Sequence, residues 1–315
     1  MDPRADRPLA ADALPDRSPD AGDAALADFL AAHPRLAVLS GAGCSTAAGL
    51  GDYRDRQGRW KRQQPITGQT FIGDESMRRR YWVRSAVGWP SFGTARPTQA
   101  HHALARLQRL GHVPSLITQN VDRLHQKAGH EAVIDLHGAL ATVSCLGCGA
   151  RSSRDAFQER LLNANPWVRS LSAEHAPDGD ADLETPDLER LAVPPCEACG
   201  GLLKPDVVFF GENVPRERVE RAMQAVAEAD ALLVAGSSLM VFSGLRFCRA
   251  AAARGQPIAI LNDGLTRADD MAELKLGGEV GARLARLVGG LTSGLTSGST
   301  SGSTSGSVSG LETSR

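Results

Sequence analysis

The chain has 315 residues, 35 Lys and Arg against 36 Asp and Glu for a net charge of −1, and 42% hydrophobic residues. That balance gives no global basic field, which argues against nucleic acid as a partner, and the apolar fraction is enough for a packed core. No run of roughly 18 apolar residues occurs, so no membrane span is expected.

Residues 1–23 hold six Asp (Asp2, Asp6, Asp12, Asp16, Asp20 and Asp23) among Ala, Pro and Arg, and predict a disordered arm. The arm has no apolar stretch and is rich in acid. It therefore fits neither a secretory signal nor a transit peptide, and a cytoplasmic location is expected. Short apolar runs follow at 36–39, 113–118, 133–136, 231–235 and 257–261. Helical patterns stand between them, for example at 101–110 and 217–228. Such alternation predicts an α/β fold with a doubly wound parallel sheet, whose ligands sit at the carboxyl ends of the strands. From residue 289 a Thr-Ser-Gly unit recurs every four residues, and 289–315 is expected to be a flexible tail. The working region is therefore 24–288.

Two Cys-x-x-Cys pairs, Cys145/Cys148 and Cys196/Cys199, stand 47 residues apart. Each lies beside glycines (Gly147, Gly149; Gly200, Gly201) that allow the tight turn of a zinc knuckle. Four thiolates fill a tetrahedral Zn²⁺ shell and leave no open position, so one structural ion is expected; the alternative is redox pairs or disulfides. Cys44 and Cys248 read as a loop residue and a core residue. The stretch 176–180 inside the long spacing reads as a surface excursion.

The loop after the first strand run contains Gly41, Gly43 and Gly49 in a G-x-G-x5-G spacing. Glycines there let backbone N–H groups approach a phosphate, and the next helix would aim its N-terminus at it. Alone, this spacing is equally a tight strand-to-helix turn.

Taken together the motifs become recognisable. Residues 41–54 (Gly-Ala-Gly-Cys-Ser-Thr-Ala-Ala-Gly-Leu-Gly-Asp-Tyr-Arg) resemble the cofactor loop of the sirtuins, and 118–129 (Thr-Gln-Asn-Val-Asp-Arg-Leu-His-Gln-Lys-Ala-Gly) resemble their second motif. Leu136-His137-Gly138 is similar to their catalytic histidine motif, and 204–212 to their substrate strand; 236–239 and 260–262 match further cofactor contacts. The order is the family's, with the cysteine pairs in place, and the resemblance spans about 27–285. The stretch 80–90 and the long insertion between the cysteine pairs look most like class II sirtuins, the branch that contains a mitochondrial animal member.

The resemblance implies an NAD⁺-dependent protein lysine deacylase with a Rossmann-like lobe (24–54, 98–138 and 205–288), a helical insert (55–97) and a smaller zinc lobe (139–204). It places Gly41, Ala42, Gly43, Gly236, Ser237 and Ser238 around the pyrophosphate. Asn262 and Asp263 would hold the adenine ribose, with Gly264 and Val280 nearby. Ser45, Asn120, Val121 and Asp122 would line the nicotinamide pocket, and Gln119 would meet the nicotinamide ribose. Asp52, Tyr53 and Arg54 would cover the reacting face. His137, with Asn120, would be catalytic: the acyl oxygen attacks the ribose as nicotinamide leaves, and His137 then takes a proton from a ribose hydroxyl. Products would be free lysine, nicotinamide and an acylated ADP-ribose. Val207, Val208 and Phe209 would pair with an acyl-lysine peptide as an added strand, flanked by Phe210, Gly211 and Glu212.

The other histidines (His33, His101, His102, His112, His125, His130, His175) read as helix-end and surface residues. The family's Ile-Pro-Asp-Phe-Arg is Leu50-Gly51-Asp52-Tyr53-Arg54 here, and Gly51 predicts a more mobile loop before NAD⁺ binds. Tyr81-x-x-Arg84 has the spacing of a pair that reads acidic acyl chains in another sirtuin class; a packed helix face is the other reading. Two further functions share the cofactor: a protein mono-ADP-ribosyltransferase, and an NAD⁺ sensor without turnover.

Overall fold

The computed structural model describes residues 19–297 except 53, 62–64, 176–180 and 184–187. Its centre is a six-stranded, all-parallel sheet ordered β11-β10-β9-β1-β2-β3. The strands are β1 (Leu36–Ser40), β2 (Ser115–Thr118), β3 (Val133–Asp135), β9 (Ala231–Ala235), β10 (Ile258–Leu261) and β11 (Leu274–Leu276). β1 is buried along its whole length because helices cover both faces, which is why it reads as a continuous apolar run rather than an alternation. One face packs under α1 (Pro19–Ala32), α4 (Gln99–Arg109) and α9 (Val280–Ser297), through Leu26, Leu30, Leu104, Leu107 and Leu284. The other packs under α7 (Arg216–Ala227) and α8 (Phe242–Ala253), through Ala222, Leu245 and Phe247. After β1 the chain builds β2 on one side, and later returns to place β9 on the other. That reversal opens a crevice at the carboxyl ends of β1, β2 and β9.

The second lobe has its own core. α2 (Gly68–Gly73) and α3 (Glu75–Thr94) lead into it, and the three-stranded antiparallel sheet β5-β4-β8 completes it. β4 spans Gly138–Cys145, β5 Arg151–Ser153 and β8 Leu203–Val207; α6 (Arg154–Ala164) follows β5, and β6 (Glu174–His175) with β7 (Ala181–Asp182) forms a small ribbon. α3 starts where the Asp74 carboxylate accepts the Met77 N–H at 3.0 Å, a standard N-cap. Its inner face repeats at helical spacing through Trp82, Ala86 and Trp89. These residues share one cluster with Phe157 and Leu161 of α6, Val143 of β4, and Cys145 and Cys196. The helical insert and the zinc module thus share one apolar core.

Both predicted terminal boundaries shift. α1 begins at Pro19, inside the expected arm, because Leu26, Phe29 and Leu30 dock on α9 and Asp23 pairs with Arg283 (2.8 Å) and Arg286. The flexible tail expected from residue 289 is helical to Ser297: α9 buries Leu287, and Val288 and Leu291 pack against the core. Residues 1–18, 298–315 and the excursion at 176–180 lie outside the described residues.

Candidate active site

The loop after β1 turns through two short 3₁₀ segments, Ala42–Cys44 and Thr46–Ala48, rather than opening a helix. Its glycines have another task than the one read from their spacing. The Gly41 and Gly43 amides donate to the carbonyls of Ala235 (3.0 Å) and Gly236 (2.8 Å), and the Cys44 and Ser45 amides close the turn on Gly41 and Ala42. A Cβ on Gly41 would meet Gly236 O at 2.7 Å, and one on Gly43 would meet Gly236 Cα at 2.7 Å. Gly236 has φ +67°, and a Cβ there would lie 2.6 Å from the Cys44 amide. The three glycines let the ends of β1 and β9 interlock.

Beside it, one hydroxyl gathers the pocket. Ser45 Oγ donates to Asp122 Oδ2 (2.7 Å) and accepts from Asn120 Nδ2 (3.1 Å). Asn120 also donates to Gly41 O (3.0 Å), and Asp122 Oδ1 accepts the Leu124 N–H (2.8 Å). Burial pushes the Asp122 carboxyl up, against the pull of those two donors. His101 Nδ1 accepts the Thr98 N–H (3.0 Å), so its Nε2 carries the hydrogen and faces Ser45 Oγ at 3.4 Å. Ser45, Asn120, Val121 and Asp122 line a small pocket with Ala42, Leu50, Gly51 and Phe92.

His137 follows β3. Its Nδ1 is 2.9 Å from Gln119 O, and a carbonyl only accepts, so Nδ1 carries the hydrogen. Nε2 is then the basic atom. Burial lowers His137 to about 4; the Gln119 carbonyl opposes this, and the cations Arg218 and Arg246 reinforce it. The imidazole is therefore a neutral, unprotonated base at physiological pH. Gln119 ties it to the loop after β9 by donating from Nε2 to Ser237 Oγ at 2.7 Å.

Towards the second lobe, Val207 pairs with Gly138, and the Val208 N–H donates to His137 O at 2.8 Å. The Phe209 N–H donates to Glu212 Oε2 (2.8 Å), and Glu212 is held by Lys204 at 3.0 Å. Both amides offered for strand addition at 208 and 209 are therefore engaged inside the protein. Phe210 packs edge-on against Trp60 (5.6 Å), and Gly211 turns with φ +82°.

The remaining expected contacts scatter. Asp263 pairs with Arg56 at 2.7 Å on the surface, Asp52 pairs with Lys61, and Arg54 lies over Trp60 (4.1 Å) while donating to Gly58 O. Asn262 Nδ2 donates to Gly264 O (3.2 Å), Ser238 O accepts the Arg267 N–H, and Val280 is buried at the start of α9. Tyr53 lies outside the described residues. Tyr81 packs edge-on against Phe71 and Phe209, both at 5.3 Å.

Three histidines correct the surface reading: His101, His125 and His130 are buried, and His125 Nε2 lies 2.8 Å from Ser40 Oγ behind the pocket. His101 shares the apolar face of α4 with Leu104, a spacing that could have signalled it. Phe92 and Ser243 were also missed. Nothing local marks either, since each reaches the site from a distant helix. Cys44 and Cys248 are buried thiols pushed up to about 12 by burial, inert in keeping with their loop and core readings.

The four remaining thiols converge. Their Sγ atoms lie within 4.8 Å of one another, with Cys145 to Cys199 at 3.5 Å and Cys148 to Cys196 at 3.8 Å. A tetrahedron with Zn–S bonds of ~2.3 Å has edges of about 3.8 Å, so the set fits zinc. A Cβ on Gly201 would press on Cys145 Sγ at 3.0 Å, which explains that glycine.

A parallel-sheet crevice interlocked by glycines, a small polar pocket, a half-buried neutral histidine and a remote four-thiol cluster that fits zinc define a two-lobed α/β protein with its candidate site at the strand ends. The Sir2 family model matches residues 41–243. The chain is 59% identical over 263 residues to "NAD-dependent protein deacetylase 2" of Bradyrhizobium diazoefficiens, covering 84% of this chain and 96% of that one. It is 58% identical over 264 residues to the "NAD-dependent protein deacetylase" of Bordetella bronchiseptica, at the same coverage. Among solved structures, one described as a Sir2 homolog–NAD complex superposes with a TM-score of 0.66 at 32% identity, over 86% of this chain and 94% of that one. Another, described as Sir2–p53 peptide–NAD⁺, gives 0.69 at 28% identity, over 85% and 98%. The chain belongs to the Sir2 family.

Proposed function

We propose that this chain is an NAD⁺-dependent protein lysine deacylase acting on acetyl-lysine in proteins or peptides. The observation that carries the reading is the orientation of His137: its Nδ1–H is fixed on the Gln119 carbonyl, while Gln119 also reaches Ser237, a residue expected beside the pyrophosphate. When bound, the dinucleotide supplies an electrophilic ribose carbon whose nicotinamide departs. Asp122, oriented by the Ser45 hydroxyl and the Leu124 amide, keeps lone pairs for a carboxamide N–H, and Asn120, both of whose Nδ2 hydrogens are committed to Gly41 and Ser45, fixes the shape of the pocket beside it. His137 Nε2 takes a proton from a ribose hydroxyl, and burial keeps the free imidazole neutral, with that lone pair available, at physiological pH. Phe209, Phe210 and Glu212 form the wall on the acyl-lysine side. The zinc lobe holds that wall, because β8 belongs to it.

Six unpaired thiols support a reducing compartment, and no helix among the described residues is long and apolar enough to cross a membrane. The four-thiol cluster that fits zinc needs reduced cysteines, and on that ground we read the protein as cytoplasmic.

The test is a panel of acetyl, long-chain, succinyl and glutaryl lysine peptides incubated with NAD⁺ and read by mass spectrometry. The expected outcome is NAD⁺-dependent loss of acetyl with stoichiometric nicotinamide. His137→Ala should abolish it while NAD⁺ binding by calorimetry survives, which separates an enzyme from a sensor. Failure of every peptide, with radiolabel passing from NAD⁺ onto protein instead, would replace this reading by ADP-ribosyl transfer.

A further inference from the structure

Beyond the Gln119 carbonyl, a second group holds His137. Ser243 Oγ lies 2.8 Å from His137 Nε2. Nδ1 carries the hydrogen, so in the neutral ring Nε2 has only a lone pair, and the Ser243 hydroxyl must be the donor. Ser243 sits in the first turn of α8, where the Gly244 and Leu245 amides both bond to Val241 O at 3.1 and 3.3 Å and fix the backbone. The next residue closes the circuit: a Cβ on Gly244 would meet Gln119 Oε1 at 2.4 Å, so the Gln119 side chain lies directly on α8. Gln119, His137, Ser243 and Gly244 form one ring of contacts, and the ring of His137 is pinned at both nitrogens.

We propose that Ser243 is a positioning residue for the base, directing the Nε2 lone pair before proton transfer and receiving the new N–H after it. The inference rests on the reading of His137 as the general base. The Ser243 hydrogen first rotates off the single Nε2 lone pair; a substrate O–H bond then breaks and its proton bonds to Nε2, giving an imidazolium with two N–H donors. Gln119 O accepts one of them. The other, on Nε2, lies against Ser243 Oγ at 2.8 Å, while the charges of Arg218 and Arg246 disfavour the protonated ring. Ser243 Oγ, its own hydrogen rotated away, has lone pairs to receive it. Without that oxygen, a charged donor inside the protein loses its partner, and the step that makes the imidazolium slows.

Nicotinamide departure precedes the step that needs the base, so the two can be measured apart. Ser243→Ala and Ser243→Thr are compared with wild type, using acetyl-lysine peptide and NAD⁺. The assays are exchange of labelled nicotinamide into NAD⁺ and formation of deacetylated peptide, with a thermal melt on each protein. For Ser243→Ala the expected result is exchange within about threefold of wild type and product formation roughly tenfold slower through kcat, with KM for NAD⁺ unchanged. Ser243→Thr, which keeps the hydroxyl, should recover product formation to within about threefold. An alanine variant as fast as active wild type overturns the proposal. So does an equal fall in exchange and product, which marks a merely structural residue, or a threonine variant as impaired as alanine. Wild-type protein without NAD⁺-dependent turnover would instead overturn the reading of His137 on which the proposal stands.

Discussion

At the residue scale, the glycines separate two effects that usually travel together. Gly236 and Gly49 both have positive φ, +67° and +79°. A Cβ on Gly49 meets nothing within 4 Å, whereas one on Gly236 lies 2.6 Å from the Cys44 amide and 2.7 Å from Gly43 C. Gly49→Ala should therefore cost only the left-handed strain of about 1–2 kcal/mol and keep NAD⁺ affinity. Gly236→Ala must also part the ends of β1 and β9. It should cost more than that, several-fold in NAD⁺ affinity at least, because the loop after β1 and Ser237 move together. Denaturant melts and calorimetry on both variants check this, and equal losses would show that φ alone matters. The polar residues obey similar arithmetic. Ser45 has a single hydrogen, committed to Asp122, and its lone pairs face Asn120 and His101. Ser45→Ala strips the buried Asp122 carboxylate of a donor, an expected loss of about 1–3 kcal/mol with a higher KM for NAD⁺, read by thermal melt and initial rates.

At the element scale, the second lobe and the zinc site stand or fall as one unit. Cys145 and Cys196 belong to the same apolar cluster as Trp82, Trp89 and Phe157, so a zinc ion held by the four thiols would clamp the floor on which α3 rests. All four tryptophans (Trp60, Trp82, Trp89 and Trp167) lie outside the parallel sheet and its covering helices, which makes indole fluorescence a reporter of this side of the molecule. Chelation, or Cys148→Ser, should release one zinc per chain and shift that fluorescence before the far-ultraviolet signal of the sheet is lost. Simultaneous loss of both signals would show a single cooperative unit instead. The sequence made much of this legible, and the reason differs by element. The three central strands β1, β9 and β10 are almost wholly apolar runs bounded by turns, a pattern that burial on both faces imposes, while β2 and β3 carry shorter apolar stretches with polar residues at their ends. β11 escaped because it is three residues long with Lys275 at its centre. The shared core escaped because it joins residues 71, 82, 157 and 203, and no local window contains that pairing. Motif spacing marked His137, Asn120 and the cysteines. It could not mark Ser243 or Phe92, whose roles exist only after α8 and α3 have docked.

At the scale of the whole molecule, the buried histidines set how the fold meets acid. His101, His130 and His137 are each lowered to about 4, and His125 lies well below its usual 6.5, all chiefly by burial. The folded values lie below the unfolded ones, so between about pH 6.5 and 4 the unfolded chain binds protons that the folded chain refuses. Stability is therefore full above pH 6.5 and drains away as the pH falls through that window, at up to about 1.4 kcal/mol per pH unit for each histidine. Asp122, raised by burial, acts with the opposite sign but is one group against four. Melting temperature should fall steeply between pH 6.5 and 4.5. His130 offers the sharpest check, because neither of its buried ring nitrogens has a hydrogen-bond partner among the described residues. Replacing it by an apolar side chain removes a proton site and surrenders no hydrogen bond. His130→Leu should match or exceed the wild-type melting temperature at pH 7 and show a shallower acid limb, by about one proton in the linkage slope. An unchanged slope would place the acid sensitivity elsewhere. A large loss of stability at pH 7 would mean that a buried water bonds the imidazole, and that His130 is held by it as His101 is held by Thr98.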